Sequence, residues 1–329
     1  MIGDATTASV ARRLDYLPVG LFGAVMGLTG LSVAWRLAHV RYSLPDVIAD
    51  TIAALAVAAF LAMAVGYAIK WLTAAEAVQA EFHHPIAGNL FGTIFVSLLL
   101  LPIILATASL FVARLLWGVG AIGMVIFAWM IISRWMSDRQ QFAHATPAWI
   151  VPVIGLLDIP LAVPSLQFES LRGVMIFGLA VGLFFTTPLF TLIFQRLLFE
   201  PPMPEALRPT LLILVAPFSV GYSSYVATTG QTDLFAQSLY ILTLFMLSVL
   251  LGQLRNLLSC CPFRVSWWSV SFPLAASTIA ALKFSAVSPG WATDSIAVVL
   301  LIFSTLVIGA LLVRTVVGIA RGELRALSA

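Results

Sequence analysis

The sequence predicts an all-α integral membrane protein with ten transmembrane helices. Of its 329 residues, 61% are hydrophobic and only 9% are charged, whereas soluble domains carry about 25% charged residues. The mean hydropathy is +1.06. Apolar runs of about 20 residues recur along the whole chain, and each is long enough to cross a bilayer as a helix. These observations exclude a soluble globular protein.

Hydropathy and turn residues divide the chain into ten candidate spans. The connections are short and contain helix breakers, so we expect a single domain over residues 19–319, flanked by short segments at 1–18 and 320–329. Arg12 and Arg13 resemble an export signal, but the following apolar run is too long for one, and we predict that it stays in the membrane. The spans are Val19–Ala38, Val47–Ile69, Ile86–Ala106, Leu110–Ile132, Ala148–Leu166, Val174–Phe194, Leu211–Thr228, Leu234–Leu251, Trp267–Leu282 and Ile296–Ile319.

The distribution of basic residues predicts the orientation in the membrane. With the N-terminus inside, 12 of the 17 Lys and Arg residues fall at cytoplasmic ends and 5 fall outside, as the positive-inside rule requires. We therefore expect a multi-pass protein of the cell (inner) membrane with both termini in the cytoplasm.

Prolines concentrate in the odd-numbered spans and predict how the helices are arranged. A proline inside a helix removes a hydrogen bond, which is tolerated at membrane depth where the backbone faces protein or a water-filled cavity. The pattern predicts five helical hairpins, each pairing an inner odd helix, kinked by Pro or Gly, with a straighter outer one, closed into a ring around an axis. Random scatter of proline is the alternative. The prolines are Pro102, Pro152, Pro160, Pro217 and Pro273, with Pro188 as the exception in an even span.

The chain carries no constellation that predicts an enzyme, a metal site or a bound cofactor. His83 and His84 are adjacent, and adjacent residues on a helix point about 100° apart, so they cannot share a metal. A net charge of +3 spread over many loops provides no basic stripe for nucleic acid. We expect the lipid bilayer and a small transported solute as partners.

Asp158 is the unusual polar residue, because it lies about halfway along the fifth span. A carboxylate at this depth is costly unless it faces water or a partner. Three interpretations remain open: a proton-titrating group that couples transport, a polar group of a pore wall, or a structural carboxyl group bonded to a neighbouring helix.

Phe272 is the aromatic residue with the most distinctive setting. It directly precedes Pro273 in the ninth span, among small Ser and Ala residues. If this span lines a pore, such a ring can block it as an apolar constriction. Ordinary packing of the ring is the alternative.

Four stretches make the chain resemble the tellurite-resistance/C4-dicarboxylate transporter family, which includes the bacterial TehA proteins and the plant guard-cell slow anion channels. The likeness covers nearly the whole chain, and it depends on the order and spacing of the stretches. They are Leu17–Gly23 with Ala34-Trp35-Arg36; Glu81–Pro85; Arg208-Pro209-Thr210 with Ala216-Pro217-Phe218; and Trp267–Ala276.

The resemblance implies a ten-helix ring around a central pore, assembled as a homotrimer with one pore per subunit. It implies that Phe272 occludes the pore and that Phe22 and Phe218 lie near it. From the proline pattern of the odd spans, we expect the pore wall to include Pro102, Pro152, Pro217 and Pro273. The expected function is a gated channel for small monovalent anions. The alternative is a proton-coupled transporter of C4-dicarboxylates, or of oxyanions such as tellurite and sulfite, that uses Asp158.

Overall fold

The computed structural model describes residues 14–168, 171–255 and 261–328. Within these residues the protein is helical without strands, and ten helices are long and apolar enough to cross a membrane, which confirms the predicted fold class. We number them α1 Val19–Tyr42, α2 Asp46–Thr73, α3 Ala87–Leu105, α4 Leu110–Ser137, α5 Pro147–Leu166, α6 Arg172–Phe199, α7 Glu205–Thr229, α8 Leu234–Leu254, α9 Val265–Val287 and α10 Trp291–Ala320. Short helices at Ala75–His83 and Leu324–Ser328 lie outside the ten spans.

Several helices extend beyond their predicted ends. Helix α10 begins at Trp291 instead of Ile296, and α7 begins at Glu205 instead of Leu211. A span predicted from hydropathy ends where polar residues begin, whereas the helix itself continues as long as its backbone hydrogen bonds do. At the start of α10, Asp294 accepts hydrogen bonds from Arg41 and Tyr42 at the end of α1, so this polar turn is held against the bundle.

Odd and even helices differ consistently in burial. In the most hydrophobic window of each odd helix, 61–83% of the residues are buried inside the protein, compared with 17–39% in the even helices. Neighbouring odd helices contact one another in the order α1, α3, α5, α7, α9, and α9 contacts α1 again. Each odd helix also packs against the even helix that follows it. The odd helices therefore form an inner ring, and the even helices lie outside it.

Each inner helix begins with a 3₁₀ segment before it becomes α-helical. These segments are Val19–Leu21, Ala87–Phe91, Pro147–Ile150, Glu205–Val215 and Val265–Val270. Helix α5 is further divided at Asp158, between Val151–Leu157 and Ile159–Leu166.

The prolines of the inner helices mostly mark the change from 3₁₀ to α-helix. Pro152 and Pro217 are the second residues of their α-helical segments, and Pro273 is the third. The first amides of an α-helix have no partner within it, so proline costs little there. These three prolines thus lie inside the spans α5, α7 and α9, near the start of their α-helical segments, whereas Pro102 lies in the interior of one. A kink at these prolines stays a prediction.

Glycines allow α1 and α9 to approach closely. A Cβ atom at Gly30 would lie 2.8 Å from the Cβ of Ala275, and one at Gly27 would overlap Ser271. The Ser271 hydroxyl donates a hydrogen bond to the carbonyl of Gly23 at 3.2 Å. These contacts fix the face of α9 that carries Phe272 relative to α1.

Candidate functional site

A cavity of about 490 Å³ opens at the end of the bundle where the inner helices begin. Its lining within the membrane spans comes from α1, α3, α5, α7 and α9, and none comes from the even helices in the described part of the chain. Outside the spans, Glu81, His84 and Leu327 border its mouth. The cavity thus lies on the axis of the inner ring.

A buried ion pair holds the mouth of the cavity together. Lys70 is 3% exposed, and its Nζ lies 2.6 Å from Glu81 Oε2 and 2.7 Å from the carbonyl of Leu17. Tyr67 donates a hydrogen bond to the same carboxylate at 3.0 Å. The other oxygen, Oε1, accepts the backbone N–H of Val19 at 2.7 Å, so Glu81 also caps the first turn of α1.

The starts of α3 and α5 are joined at the same end. His84 Nδ1 lies 3.2 Å from the N–H of Ile86 and 3.1 Å from that of Ala87, and it caps the first turn of α3. The indole of Trp149 in α5 donates to the carbonyl of Pro85 at 3.0 Å. With the Glu81 cap on α1, these bonds set the positions of three helix N-termini around the mouth.

Phe272 lies at the deep end of the cavity. Its side chain is 6% exposed and packs in one hydrophobic cluster with Met26, Val96 and Ile154. These four residues come from four different inner helices, and all of them line the cavity. A Cβ atom at Gly30 would lie 3.7 Å from the ring, so the small residue on α1 leaves room for it. The deep end of the cavity is therefore lined mainly by apolar side chains.

Asp158 is the charged residue of this deep region. It lines the cavity and is 0% exposed. Among the described residues neither of its carboxyl oxygens has a hydrogen-bond partner. The interpretation in which a neighbouring helix binds this carboxyl group therefore has no support in the described part of the chain, and the two functional interpretations stay open.

Most of the other predicted pore residues are absent from the described lining of this cavity. Phe22 packs edge-on against Phe60 and Tyr67 of α2, and Phe218 packs edge-on against Phe190 of α6. Pro273 lines the cavity, whereas Pro102, Pro152 and Pro217 are absent from its described lining. Their place along a complete conduction path stays a prediction.

Sequence reasoning did not identify three of the apolar residues at the deep end of the cavity. Met26, Val96 and Ile154 are ordinary apolar residues, and nothing in their local sequence marks them. It also assigned no role to Glu81, although Lys70 and Glu81 bracket a short interhelical connection and such opposite charges often pair. The described residues contain no cluster of three or more His, Cys, Asp or Glu residues suited to a metal ion.

Ten membrane helices around an axial, mainly apolar cavity are the arrangement of a channel or transporter of small solutes. The SLAC1 family, described as voltage-dependent anion channel, matches residues 16–316, and the chain belongs to this family. This match confirms the resemblance drawn from the sequence motifs.

Individual relatives agree with the family assignment. The S-type anion channel SLAH3 of Arabidopsis thaliana is 29% identical over 311 residues, which cover 91% of this chain and 48% of the plant protein. The tellurite resistance protein TehA homolog of Haemophilus influenzae is 25% identical over 316 residues, covering 93% and 92%. An uncharacterized transporter of Methanocaldococcus jannaschii, MJ0762, is 28% identical over 231 residues, covering 63% and 66%. The chain thus spans about half the length of SLAH3 and about two thirds of MJ0762.

Proposed function

We propose that this protein is an anion channel of the cell (inner) membrane, with a mostly apolar pore that Phe272 closes. The observation that carries the proposal is the position of the Phe272 ring at the deep end of an axial cavity. The family match and the names of the plant relatives support an anion as the permeating species.

The electrostatics of the cavity mouth favour anions. The N-terminal ends of all five inner helices lie there, and each helix end carries a partial positive charge of about half an elementary charge. The carboxylate of Glu81 is neutralised by Lys70 at 2.6 Å. Apart from Arg264 near the mouth and Asp158 at the deep end, the lining is mainly apolar. Selection among anions therefore depends on their dehydration cost, and we expect broad permeability with weak binding.

The apolar constriction explains how the pore is closed. Phe272, Met26, Val96 and Ile154 present no polar side-chain atoms that replace the hydration shell of an ion. A narrow apolar segment excludes water and therefore ions. Moving or truncating the one aromatic ring opens the widest gap, so Phe272 is the gate.

We further propose a cytoplasmic location for both termini and for the cavity mouth, supported by the 12 to 5 distribution of basic residues. A homotrimer with one pore per subunit is proposed from the family resemblance alone. Light scattering of the purified protein in detergent tests it, and a monomer mass for the protein component would contradict it.

The test of the gate compares anion currents of the wild type, Phe272→Ala and Phe284→Ala in planar bilayers. Phe284 is the matched control, because it lies on the same helix but stacks on Tyr240 of α8 with ring centroids 4.2 Å apart. We expect small currents from the wild type and Phe284→Ala and a large current from Phe272→Ala. Equal silence of all three, at equal amounts of folded protein, would show that the gate assignment is wrong.

One observation favours the second candidate, a proton-coupled transporter of dicarboxylates or of oxyanions such as tellurite and sulfite. Asp158 lies unpartnered at the deep end of the cavity, where a carboxyl group can exchange protons with a passing substrate. Asp158→Asn separates the two functions. It abolishes uptake driven by a proton gradient in a transporter, whereas in a channel it changes only the conductance.

A further inference from the structure

Helix α9 continues the line of Phe272 toward the opposite end of the bundle. Residues 7 and 11 positions apart on a helix lie on the same face, which places Ile279 and Lys283 in line with Phe272. From Val270 to Leu282, Ile279 is the one residue that is not buried, and Lys283 is likewise partly exposed. Both side chains therefore reach accessible space beyond the gate.

The other faces of α9 are occupied by neighbouring helices. Thr278 hydrogen-bonds with Ser304 of α10 at 2.8 Å, Ala275 faces Gly30 of α1, and Phe284 stacks on Tyr240 of α8. The remaining face, which carries Ile279 and Lys283, is directed to the axis of the inner ring.

On three other inner helices, the residues along one helical face also change from buried to partly exposed toward the opposite end of the bundle. In each, a residue that lines the cavity is followed on the same helical face by partly exposed residues closer to the opposite end. These lines are Met26, Val33 and Leu37 on α1; Val96 and Ile103 on α3; and Asp158, Leu161 and Ser165 on α5. Together with α9, they indicate a second funnel on the far side of Phe272.

Lys283 is the basic residue on these lines. Its position is about 16 Å along α9 from Phe272 at 1.5 Å per residue. Within the described residues it makes no hydrogen bond or ion pair. Arg36, Arg41 and Arg114 at the same end are bonded to acceptors, and Arg172 is exposed at the start of the outer helix α6. An ammonium group inside a membrane span requires water or an anionic partner.

We propose that Lys283 forms an anion-binding site in this second funnel, occupied by a small inorganic monovalent anion such as chloride. The identity of the ligand rests on the proposed channel function. The site gives an anion that has passed Phe272 a basic group to bind before it leaves the bundle, and it concentrates anions entering from that side.

The first test measures chloride binding to the purified protein by the broadening of the ³⁵Cl NMR line, which does not require an open gate. We expect Lys283→Gln to weaken the binding about tenfold, the loss expected for one charge-assisted hydrogen bond, and Lys283→Arg to retain it. Arg114→Gln is the matched control, because it removes a positive charge at the same end from a side chain that already binds the carbonyls of Leu166 and Gln167. Equal broadening by the wild type and Lys283→Gln would overturn the site.

A second measurement separates this site from the proposed function. In the Phe272→Ala background, Lys283→Gln should raise the chloride concentration that gives half-maximal current from that side by a similar factor. If Phe272→Ala conducts anions but Lys283→Gln leaves chloride binding unchanged, the channel stands and the site is wrong. If Phe272→Ala is silent while binding depends on Lys283, the site stands and the proposed channel function is wrong.

Discussion

The contact between α1 and α9 yields a quantitative prediction, because the glycine at position 30 has almost no room for a side chain. In Gly30→Ala the new Cβ would lie 2.8 Å from the Cβ of Ala275, whereas ordinary van der Waals contact begins at 3.4 Å. The two helices must therefore separate by about 0.6 Å, since neither atom lies at the end of a flexible chain. Overpacking of this kind costs about 1–3 kcal/mol, and the better helix propensity of alanine returns about 0.5–1 kcal/mol. We expect a net destabilisation of about 1–2 kcal/mol.

Thermal unfolding in detergent, followed by size-exclusion chromatography, measures this effect. Gly309→Ala on the outer helix α10 is the matched control, because a Cβ at Gly309 meets nothing within 4 Å, so this variant should be as stable as the wild type or slightly more so. Ala275→Gly should rescue Gly30→Ala by removing the opposing Cβ. Because Ala275 follows Phe272 by less than one turn, the single variant should also leak anions. The reasoning is refuted if Gly30→Ala is as stable as Gly309→Ala.

Two further predictions concern polar groups. Lys70→Met leaves the partly buried Glu81 carboxylate without its cation and should lower the free energy of unfolding by about 3 kcal/mol. The double variant Lys70→Met with Glu81→Gln should recover part of this loss. Equal melting temperatures for the single and the double variant would contradict this. At the start of α8, the Tyr225 hydroxyl at 2.6 Å and the Ala236 amide at 3.1 Å hold the pKa of Asp233 below its ordinary value. The stabilisation is therefore present above the pKa of the unfolded chain and is lost as the pH falls through the folded value. Asp233→Ala should lower the melting temperature at pH 7, with a smaller difference at acidic pH, and a difference independent of pH would count against it.

The membrane fold was predictable because its signal is local. An apolar run such as Leu110–Ile132 is long enough to identify a membrane span by itself. The observed helix begins at the same residue and extends beyond the run only to Ser137. The place of Phe272 in the lining of the axial cavity was also predictable, since the residues around it resemble a known family and its neighbours are small. Its role as a gate stays a prediction.

The apolar side chains that surround Phe272 were not predictable from local sequence. Met26, Val96 and Ile154 come from three other helices, and only the ring closure brings them together. An aromatic residue near the start of an inner helix fits either a pore or the neighbouring outer helix. Phe22 packs on Phe60 of α2, and its place near the pore stays a prediction. By contrast, the spacing in the sequence already shows that Phe272 and Lys283 share one face of a helix. That this face is directed to the axis of the ring becomes clear only when the neighbours of α9 are known.

The reversal potential of the Phe272→Ala current in a tenfold KCl gradient tests the central claim most directly. An anion-selective pore reverses close to the chloride equilibrium potential, about 59 mV from zero at 25 °C. The helix N-termini at the cavity mouth and the family assignment both predict this result. A reversal near the potassium potential, of equal size and opposite sign, would leave the pore in place and contradict the claim that it carries anions.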